Sequence, residues 1–418
     1  MIENIKKPEL LLPAGSLARL KTAALYGADA IYAGVPAVSL RARTSISLED
    51  MEEGIEFLHN LGKKIYLTLN LFTHNRDIET LKGFVERLKH LKPDGVIIAD
   101  PGVFDYVKEQ IPSLPLHVST QANVCSWLTA RAWQKKGASL CVLGREVPLS
   151  EIAEIRKNCP DLRLEMFIHG AMCMSYSGRC LISNFLTGRS ANQGKCAHSC
   201  RWKYKMFLQE ETRPDEFFEL DEDDHGSYLM NSRDLCAMPL LKDILEVGMD
   251  SFKIEGRNKS EHYVAMTAHA YRHAIDAYFE NPEKFDYRPF MKELETLQNR
   301  GYTTGFLTGN AGPESQNYDA TASTSSFRAA GQVVGYTSKG EMILTIRHKI
   351  KTGMALEFIS PSSFAPISYQ VKEFFEERNG KLLEEISCGR PDQKILLPVS
   401  KEMQEKLPIL SVCRTKEA

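Results

Sequence analysis

Short apolar runs recur along the first 255 residues, and most are followed by a longer stretch whose apolar positions fall at helical spacing. The runs are ELLLPAG from Glu9, DAIYAG from Asp29, KIYLTLN from Lys64 and DGVIIAD from Asp94, then PLHVSTQ from Pro115, SLCVLGRE from Ser139, LRLEMFIHG from Leu162 and DSFKIEGR from Asp250. Segments such as SLARLKTAALYGA and IETLKGFVERLKHL lie between them and read as amphipathic helices. Strands that alternate with helices predict a parallel sheet. A total of eight such runs favours a closed α/β fold, a (β/α)8 TIM-like barrel, over an open doubly wound sheet. No G-x-G-x-x-G follows the first run to support the open, dinucleotide-binding alternative. In a barrel the strand ends gather on one face, here Gly34, Asn70, Asp100, Gln121, Arg145, His169 and Glu255. Each by itself reads as a loop residue capping the next helix. The set is polar and chemically mixed, which suits the mouth of a substrate site.

The link between the seventh and eighth runs, from Gly170 to about Met249, is too long for one loop and one helix. AMPLLKDILEVG supplies the expected helix, which leaves a cysteine-bearing insertion at 170–235 on the active face. Inside it, WKYKMFLQEE and FFELDEDDHGSYLMN are expected to pair as strands around an acidic turn, Asp221, Glu222, Asp223 and Asp224, which lacks the spacing of a calcium loop. After the eighth run, KSEHYVAMTAHAYRHAIDAYFE predicts a long helix. The expected organisation is therefore a barrel with its insertion over 1–286, a connecting segment over 287–326 and a small β-barrel domain over 327–418. The last is read from GQVVGYTS, EMILTIRHKI, MALEFIS, SYQVKEF and KILLPVS.

Composition narrows the class. Hydrophobic residues make up 43% and charged residues 25%, the balance of an ordinary globular protein. No apolar run approaches the ~18 residues that would span a membrane, and the apolar stretch near the start breaks at Pro13 without a cleavage-type site. The expected location is cytoplasmic, with no membrane partner. Ten cysteines in that compartment are not a disulfide framework. Net charge is −2, so a nucleic-acid partner would have to meet a local basic patch.

Cys125, Cys141, Cys159, Cys388 and Cys413 are scattered and read as small buried hydrophobes. The other five are clustered. HGAMCMSYSGRCLISNFLTGRSANQGKCAHSCRW puts Cys173, Cys180, Cys196 and Cys200 within 28 residues, and Cys236 follows in NSRDLCAMPLL. Thiolates are soft ligands for zinc or iron–sulfur clusters, and four close either kind of site. The spacing lacks paired C-x₂₋₄-C knuckles and leans to a cluster over zinc, with a structural cysteine group as the plainer alternative. Cys236, expected at the start of the helix before the eighth strand, would approach from the barrel face that carries Cys173. It is taken as the fourth ligand and Cys200 as the spare. A thiol-protease reading, one cysteine with His169 or His198 as base, would leave the remaining cysteines unexplained.

The cysteine segment, together with PAGS near the start, MNSRDLC, FKIEGR and RGYTTGFLTG, resembles peptidase family U32 over nearly the whole chain. That family includes RNA-hydroxylating and ubiquinone-biosynthesis proteins that are not convincing proteases. The resemblance implies a 4Fe–4S cluster, carried over onto Cys173, Cys180, Cys196 and Cys236. The extra β-rich tail and the chain length match the branch that acts on tRNA. By resemblance the chain would help convert a wobble uridine of tRNA to 5-hydroxyuridine with prephenate as a required metabolite, alone or with a paralogous partner subunit.

For such chemistry a pyrimidine must leave its stack and be held. Gln121, Asn123, Gln193, Tyr176 and Trp202 are candidates to hydrogen-bond or stack on it. Arg145, Arg179, Lys253 and Arg257 are candidates for phosphate or a dicarboxylate, and Arg347, His348, Lys349 and Lys351 for RNA contact by the tail. No catalytic group is singled out beyond the candidates His169, Glu255 and Arg257. A U32 peptidase and a non-catalytic iron–sulfur partner subunit stay open as alternatives, although no H-E-x-x-H or G-x-S-x-G is present.

Overall fold

Successive strand residues face opposite ways, and the core divides accordingly. Leu10 and Leu12 join the large cluster between strands and helices, whereas Leu11, Ala30, Tyr32, Tyr66 and Ile97 form a separate cluster along the barrel axis. The computed structural model describes residues 5–35, 38–39, 46–173, 175–202, 206–210, 213–220, 232–309, 315, 325–378, 380–388 and 393–416, with backbone alone at 206–210 and 213–220.

The barrel strands are β1 (Glu9–Ala14), β2 (Ala30–Gly34), β3 (Lys64–Leu69), β4 (Gly95–Ile98), β5 (Leu116–Val118), β6 (Leu140–Val142) and β7 (Arg163–Ala171). The intervening helices are α1 (Leu17–Leu25), α2 (Leu48–Asn60), α3 (Ile78–Leu91), α4 (Pro101–Gln110), α5 (Trp127–Lys136) and α6 (Leu149–Asn158). Their starts are written locally: Ser16, Ser47, Asp100 and Ser126 each accept a hydrogen bond from the first turn, the N-cap arrangement that satisfies otherwise orphaned amides. After β7 come α7 (Ile182–Thr187), the hairpin β8 (Met206–Glu210) and β9 (Arg213–Leu220), β10 (Asp234–Cys236), α8 (Leu241–Glu246) and β11 (Ser251–Ile254). β11 pairs in parallel with both β1 and β7, closing the predicted eight-stranded barrel. β10 is an addition to that plan, pairing antiparallel with the end of β7.

The hairpin of the insertion sets Glu210 opposite Arg213. The reversal therefore precedes the expected acidic turn, and Asp221, Glu222, Asp223 and Asp224 follow β9, outside the described residues. The long helix α9 (Glu261–Glu280) is capped by Ser260 and almost wholly buried along its first half. α10 (Arg288–Glu295) and the short β12 (Tyr302–Thr303), which pairs with β10, follow it.

The C-terminal region is an eight-stranded antiparallel sheet around its own apolar core of Leu344, Leu356, Phe358, Phe374 and Ile395, among others. It is fastened to the barrel helices by polar contacts. The Tyr26 hydroxyl donates to the Ile359 carbonyl at 2.7 Å and accepts from the Val412 amide at 2.9 Å. Arg414 reaches Glu293 of α10 at 2.7 Å and is held from its own sheet by Glu357 at 2.9 Å. Among the described residues no helix is long and apolar enough to cross a membrane.

Candidate functional site

The strand ends of the barrel and the loops of the insertion enclose a cavity of about 560 Å³. Its floor is barrel: Tyr32, Thr68, Ile97 and Phe167 from the strands, with Lys253, Glu255 and Arg257 where the FKIEGR run leaves β11. Its roof is the insertion, including Cys173, Cys180, Cys196, Cys200, Arg189 and Arg201. The mouth thus lies on the C-terminal face that carries the active site in barrel enzymes.

The cations of the floor are held rigidly. Lys253 is 4% exposed and pairs with the buried Glu165 at 2.8 Å, while Ser251 donates to the other Glu165 oxygen at 2.9 Å. Burial lowers the Lys253 pKa and the Glu165 carboxylate counters it, the expected contest for a desolvated ammonium. Arg257 donates to Ser39 at 2.7 Å and Thr68 at 3.0 Å, whose hydroxyls also bond each other at 2.7 Å. Arg145 lies with its guanidinium 3.9 Å from the Phe167 ring centre and donates to the Ala171 carbonyl. Arg201 donates to the Met172 carbonyl and Arg189 to the Cys196 carbonyl, so these arginines also brace the loop that presents the cysteines. Ser39, Thr68, Arg189 and Arg201 are absent from the sequence-derived set. A polar residue facing inward on the otherwise apolar β3 was the signal for Thr68, and adjacency to the cysteines was the signal for Arg189 and Arg201.

The four thiols on the cavity wall are Cys173, Cys180, Cys196 and Cys200. The His198 backbone amide donates to Cys196 Sγ at 3.4 Å, and Asn192 Oδ1 receives the Cys180 amide at 3.0 Å. Burial pushes the Cys200 thiol up; Arg201 opposes this, and the neighbouring Cys173, Cys196 and Cys180 add to it. Among the described residues, no three His, Cys, Asp or Glu side chains converge tightly enough to hold a single ion.

Cys236 is not with them. It ends the strand β10, where it pairs with His169, and its side chain, 1% exposed, packs against the Tyr271 hydroxyl and Met291 Sδ, both at 3.7 Å. The expected approach from a helix start fails because an unforeseen antiparallel strand turns the side chain toward α9 and α10. Cys200, set aside as the spare, lines the cavity with the other three.

The remaining candidates divide. Gln121 and Glu255 line the cavity with Arg145, Lys253 and Arg257. His169 does not: it is 1% exposed among Tyr263, Tyr271 and Tyr302, and burial lowers its pKa to about 3, leaving a neutral structural ring. Asn123 also lies outside the lining. It takes a left-handed conformation after the Thr120–Ala122 turn, with its buried Oδ1 unpartnered. Arg179 clamps the insertion to the barrel by donating to the Gln121 carbonyl at 2.9 Å and lying over Phe72. Tyr176 faces a smaller adjoining cavity of about 190 Å³, and its hydroxyl approaches Cys125 Sγ at 3.8 Å. Gln193 is engaged by Arg76 at 2.8 Å. Asp100 keeps the plainer role of a helix cap.

The family model described as Peptidase family U32 matches residues 15–317. The chain is 38% identical to the tRNA hydroxylation protein P of Escherichia coli, over 85% of this chain and 86% of that protein. It is 36% identical to the tRNA hydroxylation protein P1 of Bacillus subtilis, over 90% and 89%. It is also 35% identical to the 23S rRNA 5-hydroxycytidine C2501 synthase of Escherichia coli, over 73% of this chain and 46% of that enzyme. A match of this extent to the family model, joined to a barrel whose inserted cysteine loop roofs its active face, makes the chain a member of peptidase family U32.

Proposed function

We propose that this protein is an RNA-modifying enzyme that hydroxylates a tRNA wobble uridine to 5-hydroxyuridine. The observation that carries the reading is the juxtaposition in one cavity of four thiols above and a bed of hydrogen-bonding and cationic side chains below. Two of the relatives named above are called tRNA hydroxylation proteins, and a third is called a 23S rRNA 5-hydroxycytidine synthase.

The donor set fits a 4Fe–4S cluster on Cys173, Cys180, Cys196 and Cys200. Four soft donors border one space without the close convergence that a zinc ion at ~2.3 Å from each sulfur demands. Four adjacent thiolates would repel one another, so a bound cationic centre is what would let them ionise together. When bound, such a cluster would supply one-electron chemistry. The chain's own groups would do the rest. Gln121 and Glu255 would hydrogen-bond the polar edge of a base taken out of its stack, with Phe167 and Tyr32 as apolar walls. Arg145 and Arg257 would bind the carboxylates of a cosubstrate, with prephenate, implied by the family resemblance, as the proposed one. A cavity of about 560 Å³ has room for a base and a small acid, and the insertion would exclude water.

The older peptidase reading keeps only one of the two bases offered for it: His169 packs among tyrosines outside the cavity lining, whereas His198 lines the cavity with the thiols, and the reading still leaves the other cysteines unexplained.

The deciding experiment is nucleoside analysis of tRNA from a strain lacking this protein and its paralogues, with and without the restored gene. Loss and recovery of 5-hydroxyuridine is expected. Unchanged 5-hydroxyuridine would remove the reading. Anaerobically purified protein should be brown and carry iron in a cluster; colourless protein with one zinc would remove the cofactor assignment.

A further inference from the structure

Five large hydrophobic side chains stand exposed within one stretch of the insertion: Tyr176, Leu181, Phe185, Leu186 and Trp202. Phe185 is 87% and Leu181 74% exposed, and elsewhere among the described residues the exposed large hydrophobics are the scattered Leu61, Leu128, Leu382 and Ile409. The cluster has one side to itself. Ile182, Ser183 and Arg189, in and just after α7, line the cavity, so α7 turns one side to the site and its other side, with Phe185, to solvent. α7 packs on the Ser199–Arg201 turn, which brings Trp202 alongside.

The charge of this stretch is one-sided. From Met166 to Gln209 the chain has six lysines and arginines and no aspartate or glutamate, against a whole-chain net charge of −2. Glu146, which lines the cavity beneath it, accepts from the Ser177 amide and hydroxyl. Lys195 and Arg179 are exposed. Exposed aromatic rings beside cations are what unpaired nucleotides require: bases stack on the rings, and phosphates meet the charges. A protein-docking face is instead depleted of charge at its centre.

We infer that the outer face of the insertion is a stacking platform for the unpaired loop of the RNA substrate. This rests on the RNA-hydroxylation reading and deepens it. Bases flanking the target lie on Phe185 and Trp202, phosphates meet Lys195 and Arg179, and the target base turns over the edge of α7 into the cavity. Because the neighbours are held outside, the floor needs to bind one base.

The test is fluorescence anisotropy of the anaerobically purified full-length protein with two labelled RNAs: a hairpin whose loop has the size of an anticodon loop, and a blunt duplex of equal length. The hairpin should bind more tightly. Phe185→Ser and Trp202→Ser should each weaken it about 5- to 150-fold, the span of single-base stacking losses, and leave duplex binding unchanged. Lys195→Gln should lower the slope of log affinity against log salt by about 1. Phe185 and Trp202 are exposed, so melting temperatures should be those of the parent. Hairpin affinities equal to the parent's in both variants, or equal binding of hairpin and duplex, would overturn the inference. So would a Phe185→Ser protein that keeps its hairpin affinity but sheds a co-purifying protein chain, which would assign the face to a partner subunit. Binding requires no turnover: a platform that binds hairpins through Phe185 in a protein whose absence leaves tRNA nucleosides unchanged would uphold this inference and sink the catalytic one.

Discussion

A Cβ on residue 34 would lie 2.5 Å from Nη1 of Arg257, so Gly34 is the empty space in which that guanidinium sits. The same Cβ would come within 2.7 Å of Ser39 Oγ, one of the two hydroxyls that fix Arg257. The glycine at the end of β2 thus serves packing by a side chain more than two hundred residues later in the sequence. Gly34→Ala should push the guanidinium off its hydroxyl partners. The expected outcome is a fall in tRNA hydroxylation on the order of 10- to 100-fold, the cost of a misplaced binding group, with a melting temperature only a few degrees lower. Full activity in Gly34→Ala would show that Arg257 does not position the substrate.

Cys200 and Cys236 make opposite predictions. Cys200 lines the cavity with the other three thiols, so Cys200→Ser should lose cluster iron and 5-hydroxyuridine together. Cys236 fills a closed apolar space against Tyr271 and Met291. Cys236→Ala should keep its iron and its modified tRNA and lose stability on the order of 1 kcal/mol, as for other small buried deletions. Iron analysis of the two purified proteins separates the cases. Iron retained in Cys200→Ser and lost in Cys236→Ala would restore the ligand set read from the sequence.

The eight barrel strands were legible because each is a compact apolar run, and most are followed by an amphipathic helix, several with a side-chain cap of their own, a local signal that requires no tertiary knowledge. Gln121, Arg145, Glu255 and Arg257 were legible at the mouth because they stand at or just past strand ends, and a barrel puts those ends together. Cys236 was not, because β10 is three residues long and pairs with a strand more than sixty residues earlier; such a strand leaves no periodicity to detect. His169 misled for a related reason. It is the strand-end histidine, but β7 runs on past it to Ala171, and the added strand β10 covers it. The clamp of Arg179 on the Gln121 carbonyl is likewise a contact between distant segments, invisible to spacing.

The buried pair Lys253–Glu165 has a testable asymmetry. With 4% and 0% exposure, neither partner can be left charged and alone. Glu165→Gln should cost about 3–5 kcal/mol, the usual penalty for orphaning a buried ion. Replacing both, Lys253→Met with Glu165→Leu, should recover most of that loss, since an apolar pair of similar volume needs no compensation. Lys253 also lines the cavity, so hydroxylation should stay low in the stable double variant. A double variant that is both stable and fully active would reduce the pair to scaffolding.

Four histidines tie stability to pH. His117, His169 and His262 are buried, and burial lowers each to about 3, while burial lowers His269 to about 4; positive neighbours add to this, among them Arg163 for His117, Lys259 for His169 and Arg414 for His262. Each is neutral in the fold and regains a pKa near 6.5 when the chain unfolds. Between those values the unfolded state binds more protons, so stability is complete above about pH 6.5 and is lost as pH falls toward 3. At pH 5 each contributes a loss of about 2 kcal/mol. That loss begins well above the range in which carboxylates protonate. The melting temperature should therefore drop steeply from pH 7 to pH 5. His262→Leu should remove about a quarter of the drop, because its Nδ1 is buried without a partner and an apolar side chain of similar volume has no proton to gain. A melting temperature flat over that interval would mean that at least two of these rings reach water or a carboxylate in solution, and the tyrosine enclosure of His169 would be the first contact to doubt.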